Sequence, residues 1–248
     1  MLRLFAVLIL LAAPATAEEI VLGLSQDEVA ITATFEGSEI LVFGAIKRSA
    51  PAPDGDLGLI VAVAGPDDHV TVRRKDRRFG IWVNTDDVKV DAAPTFYAVA
   101  TSGPLDEILS ATEDLRRKIT LRSAIRSVGT NVMDSRNFTN ALIRIRSEQQ
   151  LYQVLEGAVD FEEDTLFRTS VRLPANLVEG DYEARIFLTR DGKIVDEYVT
   201  EIPVKKVGLE RWLYNLARNN AVLYGLMSLA IAIAAGWSAS AVFSLLRR

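Results

Sequence analysis

Cysteine is absent from the 248 residues of this chain, and histidine occurs only once. Without cysteine there is no disulfide framework, no thiol nucleophile and no thiolate metal ligand, so the fold must rest on its own core. The sequence also lacks a Gly-rich phosphate loop, a Gly-x-Ser-x-Gly elbow and a His-Glu-x-x-His motif. His69 follows Asp67 and Asp68 in a turn, where a histidine is far more often solvated than catalytic. We therefore expect no enzymatic activity, no cofactor and no metal.

A strong charge of either sign is also missing. The formal net charge is −5, and so mildly acidic a chain argues against binding to nucleic acid, since proteins that bind it carry a predominantly basic surface. The densest acidic cluster comprises Asp160, Glu162, Glu163 and Asp164. Its spacing is not that of an EF-hand loop and the glycine of such a loop is absent, so we predict a solvated loop here and not a calcium site.

One long apolar run closes the chain. Residues 221–246 carry no charge, and Arg247 and Arg248 follow them. As a helix this run would be roughly 39 Å long, which is enough to cross a bilayer core of about 30 Å with some tilt. We predict a transmembrane helix over 221–246.

The other end has the pattern of a secretory signal peptide. Arg3 is followed by an apolar stretch over residues 4–13, and Ala15-Thr16-Ala17 fits a signal peptidase site. A signal peptide over 1–17 with a late membrane helix predicts a periplasmic body over 18–205 on a bacterial inner membrane, with a cytoplasmic C-terminus. An uncleaved signal anchor is the alternative.

The body has the pattern of β structure. Short runs rich in Val, Ile, Thr and Phe recur between turn residues over 19–100 and return over 164–204. The runs at 39–46 and 57–65 are expected to be buried on both faces. This pattern predicts a mainly β fold, an immunoglobulin-like β-sandwich with Tyr182 as the candidate for its tyrosine corner. Two separate domains in the body are the less favoured alternative.

A helical insertion is predicted at about 103–157. Pro104 suits the first turn of a helix running to about residue 121. Its apolar residues Leu105, Ile108, Leu109 and Leu115 would lie near one face. A second helix is predicted from residue 136 or 137 to about 155. Within the later β region, Asp191-Gly192 is the strongest hairpin signal in the chain.

A basic run lies between two predicted strands, where a hairpin tip is expected. It contains Arg73, Arg74, Lys75, Arg77 and Arg78. Such a tip would contact anionic lipid head groups, an acidic partner surface or an oxyanion. The alternative is a solvated turn that protects the sheet.

Small residues recur at every fourth position of the apolar run, which predicts a packing face for a partner helix. The face comprises Ser228, Ala232, Gly236, Ser240 and Ser244, flanked by Gly225. Before it, residues 206–220 form an amphipathic juxtamembrane helix, in which Trp212 and Tyr214 suit the membrane interface. Tolerance of Ala and Ser in any membrane helix is the alternative to a packing face.

Four blocks of the chain are similar to an uncharacterised alphaproteobacterial family of single-pass transmembrane proteins, the Alph_Pro_TM type. They are GLSQDEVAITATFEGSEILVFGAI (23–46), VRRKDRRFGIWVNTDDV (72–88), APTFYAVATSGPL (93–105) and LPANLVEGDYEARIFLTRDGKIV (173–195). The resemblance covers nearly the whole chain and implies no catalytic residue. It implies that the protein is encoded beside permeases of the TauE/SafE sulfite-exporter type. Such proximity of genes is an association and not a physical argument.

The sequence thus favours a non-enzymatic subunit that binds a polytopic membrane protein, with a TauE/SafE-type exporter of sulfite or sulfonate as one candidate. A homo-oligomer is also open. The first alternative is a tethered periplasmic binding module or assembly chaperone that adds a partner strand to a free sheet edge such as 193–204. The second is an enzyme with a site of scattered polar residues.

Signal cleavage is directly testable. We expect the purified protein to begin at Glu18, so that its intact mass lacks residues 1–17. A mass that retains these residues would instead establish a signal anchor.

Overall fold

The structure of the chain is a computed structural model, which describes residues 18–32, 35–49, 51, 54–127 and 135–246. The predicted signal peptide and the terminal pair Arg247 and Arg248 lie outside these residues. The described residues divide into two compact units. One comprises 18–29 and 36–204, and the other comprises 30–35 and 205–246, with the gaps just given.

Strands dominate the first unit. The strands of the chain are β1 (Glu18–Leu24), β2 (Val29–Ile31), β3 (Ser38–Arg48), β4 (Leu57–Ala64), β5 (Asp67–Arg78), β6 (Ile81–Pro94), β7 (Tyr97–Thr101), β8 (Arg126–Ser127), β9 (Tyr152–Leu155), β10 (Asp160–Glu162), β11 (Leu166–Leu173), β12 (Gly180–Arg190) and β13 (Lys193–Lys206). The helices are α1 (Leu105–Ile108), α2 (Ala111–Arg117), α3 (Leu121–Ala124), α4 (Ser135–Glu148), α5 (Leu209–Asn219) and α6 (Ala221–Leu246). The mainly β prediction is confirmed.

The strands form three sheets with the orders β1-β3-β11-β10, β2-β13-β12-β4-β7-β9 and β5-β6-β8. β11 of the first sheet contacts β7 of the second, and both sheets contribute buried side chains to the core. The orders β1-β3-β11-β10 and β13-β12-β4 correspond to the ABED and GFC orders of immunoglobulin domains. The immunoglobulin-like assignment stays a prediction, which this correspondence supports.

Burial distinguishes the two central strands from the outer ones. β4 and β7 are buried on both faces, as expected for the run at 57–65. The same expectation for 39–46 is wrong, because β3 alternates: Ile40 and Val42 point into the core, whereas Leu41 and Phe43 are exposed. Only one face of the sheet that contains β3 is covered. Alternate residues of its apolar run therefore lie on the outer, exposed face.

The tyrosine corner is confirmed in its hydrogen bond. The Tyr182 hydroxyl donates to the backbone oxygen of Val178 over 2.9 Å. Tyr182 lies at the start of β12, and Val178 lies just before this strand. The ring is buried against Phe96, with 6.0 Å between the ring centroids. Burial raises the pKa of Tyr182, so its hydroxyl stays protonated and able to donate.

The first predicted helix is broken into α1, α2 and α3. Ser110 is extended and caps α2, since its side chain accepts a hydrogen bond from the backbone of Glu113. The Asp114 carboxylate then accepts from the backbone amides of Ile119 and Thr120, at 3.1 and 2.7 Å, which turns the chain into α3. Leu115 is exposed, contrary to the expected apolar face.

The helices cover the second face of β4 and β7. Gly58 of β4 allows this approach, because a Cβ there would lie 2.8 Å from the Ile108 side chain of α1. The Tyr97 hydroxyl of β7 donates to the backbone oxygen of Ile119 over 2.8 Å. Arg185 of β12 donates to the backbone oxygen of Arg117 at the end of α2, where a cation complements the helix dipole.

The second predicted helix ends at Glu148 and not near residue 155. Gln150 adopts a positive φ of 61°, and the amide of Leu151 donates to the Arg146 oxygen over 2.9 Å. These are the features of a Schellman end. The following residues form β9, which pairs in parallel with β7. The apolar residues at 151–155 therefore belong to a strand.

A buried ionic cluster, which we name the Glu18 cluster, links the two large sheets. It comprises Glu18 of β1, Arg48 of β3 and Arg190 of β12. Arg190 donates to both oxygens of Glu18 and Arg48 donates to one, each over 2.9 Å. Burial works to raise the pKa of Glu18, but the two guanidinium groups outweigh it and the pKa lies below the ordinary value.

Removal of the tyrosine corner should destabilise the body. We expect Tyr182→Phe to lower the free energy of unfolding by about 1–2 kcal/mol, because Val178 loses its hydrogen bond. The check is urea denaturation of the full chain in detergent, with Tyr198→Phe on the exposed side of β13 as control. Equal effects of the two substitutions would contradict the role of the corner.

The Glu18 cluster should make stability depend on pH. Because the folded pKa of Glu18 is lowered, its contribution is present above the ordinary value of 4.5 and is lost as pH falls through the folded pKa. We expect Glu18→Gln to cost about 3 kcal/mol at about pH 7 and much less at about pH 3.

Glu19→Gln is the matched control for this measurement. Its pair with Lys47 is exposed, so the substitution should cost under about 1 kcal/mol at either pH. Urea denaturation at both pH values tests the two variants. A cost of Glu18→Gln that does not shrink at low pH would show that the ionic cluster is not its source.

Candidate functional site

The predicted membrane segment is a single helix. α6 spans Ala221–Leu246, as expected, and residues 221–240 are long and apolar enough to cross a membrane. None of the apolar window is buried by the described part of the chain.

The small-residue row, defined as Ser228, Ala232, Gly236, Ser240 and Ser244, follows an i+4 ridge of α6. Such a ridge is inclined to the helix axis and is a common line of contact between helices. Through Ser240 these side chains are exposed. The side chain of Ser244 lies outside the described part.

The glycines of α6 are open to contact. A Cβ at the flanking Gly225 or at Gly236 would meet no atom of the chain within 4 Å. The Ser228 hydroxyl donates to the Tyr224 backbone oxygen over 2.9 Å, which satisfies this polar group inside its own helix. The row thus presents a surface of small side chains, and the hydroxyl of Ser228 within it is already hydrogen-bonded.

The predicted juxtamembrane helix is α5. Trp212 and Tyr214 are both exposed, and Arg218 donates to the Tyr214 hydroxyl over 2.9 Å. α5 and α6 are separate helices because Asn220 leaves the helical conformation, with φ −141° and ψ 62°. The helix offers an aromatic and a cation of the kind found at membrane interfaces.

The basic run lies on strand β5 and not in the turn of its hairpin, which corrects the prediction of a basic tip. Phe79 and Gly80 form the turn, with φ values of 50° and 86°, between the paired residues Arg78 and Ile81. Two central residues of positive φ are typical of a type I′ hairpin turn. The cations therefore stand on the strand that leads to an apolar end.

Alternation along β5 separates the basic residues onto two faces. Arg74 lies on the side of α4, with its guanidinium 4.8 Å from the Phe138 ring centroid and 3.8 Å from Asp86. Arg78, on the same face, pairs with Asp76 over 3.1 Å. These two arginines are engaged within the body.

The other face carries Arg73, Lys75 and Arg77. Within the described residues these three side chains form no ion pair. Arg77 stands opposite Trp82 and Arg73 stands opposite Asp87 in the β5–β6 pairing. Three cations against one carboxylate give this face an excess of positive charge.

The end of the hairpin is apolar, which the sequence reasoning missed. Phe79 is 105% exposed, Ile81 64% and Trp82 68%. The run Phe79-Gly80-Ile81-Trp82-Val83 has the composition of a β-strand, which does not indicate whether its side chains are covered. Its direct succession to five cations was the one signal of a different role.

Comparison with known families assigns the chain. The family described as "Putative transmembrane protein (Alph_Pro_TM)" matches residues 19–245. The chain belongs to this family. The match includes the β body and nearly all of α6, and together with the candidate span among the described residues it identifies a membrane protein. No curated protein matches the chain.

The remaining residues considered in the sequence as catalytic or metal-binding candidates lie on the surface of the protein. His69 is exposed, and its backbone amide is bonded to Asp68 over 2.8 Å. In the acidic cluster, Asp160 pairs with Arg168 over 3.1 Å. Among the described residues, no group of three or more histidine or acidic side chains is placed to hold a metal ion.

An apolar groove lies on the outer face of the first sheet. Val21, Phe43 and Leu166 line it, and its volume is about 550 Å³. Asp160 and Arg168 also line it. The groove has the size of a small-molecule or peptide site.

Proposed function

We propose that the protein is a non-enzymatic accessory subunit that binds a polytopic membrane protein through the small-residue row of α6. The observation that carries this proposal is the open space around Gly225 and Gly236. Glycine in a helix costs about 0.8–1 kcal/mol relative to alanine. In the described chain nothing requires glycine at either position. A partner helix that packed closely against the row would require a residue without a side chain there.

The membrane environment favours this mode of association. Lipid tails are as apolar as the side chains of a membrane helix, so helices associate through close packing and not through a hydrophobic driving force. Small residues spaced four apart let two backbones approach. A stripe of bulky residues would keep the backbone of a partner helix too far away for close packing.

The topology that we propose follows from the two ends of the chain. The signal-peptide pattern of 1–17 supports a periplasmic location of the β body, and the apolar run of α6 supports an inner-membrane anchor with a cytoplasmic C-terminus. The partner would be a multi-span protein of the same membrane. The resemblance stated above supports a sulfur-oxyanion exporter of the TauE/SafE type as the first partner to test.

A pair of substitutions on the row tests the proposal. Gly236→Leu with Ser240→Leu should fill the contact surface, and we expect recovery of the partner to fall about tenfold or more. The measurement is purification from native membranes in mild detergent, followed by quantitative mass spectrometry of multi-span proteins. Complex formation that survives both changes would remove the basis of the proposal.

Ala234→Leu with Ser238→Leu is the matched control. These residues have the same spacing and lie on the opposite side of α6, about 200° around the helix from Gly236. They add one carbon less than the test pair, toward the side that the proposal assigns to lipid. The control should retain the partner at the level of the unmodified chain.

A tethered binding module or assembly chaperone is the second candidate, and the apolar groove favours it. The free sheet edge that was expected at 193–204 supports this candidate less. These residues belong to β13, and β2 lies next to β13 at the edge of the sheet. Replacement of residues 209–248 by an unrelated anchor separates the two candidates. A binding module keeps its activity in this chimera, and an accessory subunit or a homo-oligomer joined through α6 loses its complex.

A further inference from the structure

We propose that the distal hairpin, residues 73–82, is a second membrane contact, whose apolar end enters the interface of an anionic bilayer. Its own basic face would bind the lipid phosphates. This inference is independent of α6 packing against a protein partner.

The first step concerns the exposed apolar end. Phe79, Ile81 and Trp82 are adjacent and lie at the extreme of the hairpin, where the described chain covers none of them by more than about a third. Single exposed apolar residues are ordinary on a protein surface, but a contiguous apolar group marks an interaction site. Tryptophan is the side chain most typical of a membrane interface.

The second step concerns the order of side chains along the hairpin. Phe79 is outermost, then Trp82 with its cross-strand neighbour Arg77, then Lys75 and Arg73. A surface that enters a bilayer needs this order, with apolar groups deepest and cations at the depth of the phosphates. A site for a free anion would need the cations but not the apolar end.

The third step concerns charge. Arg73, Lys75 and Arg77 share one face by strand alternation, and none of their side chains forms an ion pair among the described residues. They are thus available to phosphates without the loss of an ion pair among the described residues. Each cation close to an anionic leaflet favours contact by about fivefold.

The fourth step concerns stiffness and reach. At its base the hairpin is held by Val72 and Val88, which are buried, and by Arg74 over the Phe138 ring. From Val72 to Phe79 the strand extends about 23 Å. The end is thus carried on a two-stranded ribbon and not on a loose loop.

A bilayer is favoured over an acidic protein as the occupant. The chain carries its own membrane helix, which begins at Ala221, shortly after β13. A tethered body meets the bilayer surface at high effective concentration whether or not a protein partner is present. Lipid therefore provides the negative charge and the apolar layer that complement the hairpin.

The test uses Trp82 as the probe in the full chain. Trp212→Phe and Trp237→Phe leave Trp82 as the only tryptophan. The protein is placed in nanodiscs of phosphatidylcholine alone or with phosphatidylglycerol, each with brominated acyl chains as a quencher. We expect a shift of the emission to shorter wavelength and quenching by the brominated lipid, both stronger in the anionic discs.

Arg73→Glu with Arg77→Glu should reduce the equilibrium constant for contact at least about 25-fold in anionic discs. Arg116→Glu with Arg168→Glu is the matched control, since it makes the same change of charge at exposed positions outside the hairpin. Circular dichroism checks that each variant keeps its β content.

Trp82 that stays solvent-exposed and unquenched in both kinds of disc overturns the proposal. A blue-shifted Trp82 without quenching by lipid also overturns it, because the end is then covered by protein, either a second copy or another chain. Quenching that is equal in both discs and unchanged in the charge variant would refute the assigned role of the cations.

Discussion

Burial of β4 and β7 on both faces is the constraint on which the rest of the body depends. Two adjacent strands without a solvent face need a layer on each side. The first sheet supplies one layer and helices α1 to α3 with the residues between them supply the other, with Gly58 and Tyr97 at the contacts. The alanines of these strands, among them Ala62 and Ala98, keep the layers close.

The same constraint explains where the long hairpin projects. β5 and β6 form the connection between β4 and β7, and backbone bonds close its base: Gly65 donates to Phe96 and Thr95 donates to Pro66, over 2.8 and 2.9 Å. The most buried strands of the body therefore hold a hairpin whose end is exposed. This arrangement fixes the direction of the hairpin relative to the core without any contact at its end.

Alternation and turn chemistry made most strands predictable. Asp191-Gly192 forms the expected hairpin, with φ values of 49° and 75° and strand partners Arg190 and Lys193. Tyr182 was found from the residues around it. These features depend on local sequence, and local rules were enough.

Features that depend on distant residues were not predictable in the same way. The breaks in the first helix depend on Asp114 and its bonds to the next turn, and the strand at 152–155 depends on β7 as a partner. Exposure of Phe79 and Trp82 depends on the lack of a covering layer among the described residues. An apolar run alone does not distinguish a covered strand from an uncovered one.

The Glu18 cluster has a consequence for the timing of folding. Glu18 and Arg190 are 172 positions apart, so nearly the whole body must be synthesised before their hydrogen bonds form. Contacts of such separation make a fold slow to assemble. A nascent chain that has not yet produced β12 exposes the buried faces of β3 and β4 until its last long strands arrive. The body can therefore close only after β12 has been made, which in the order of the chain is shortly before α6.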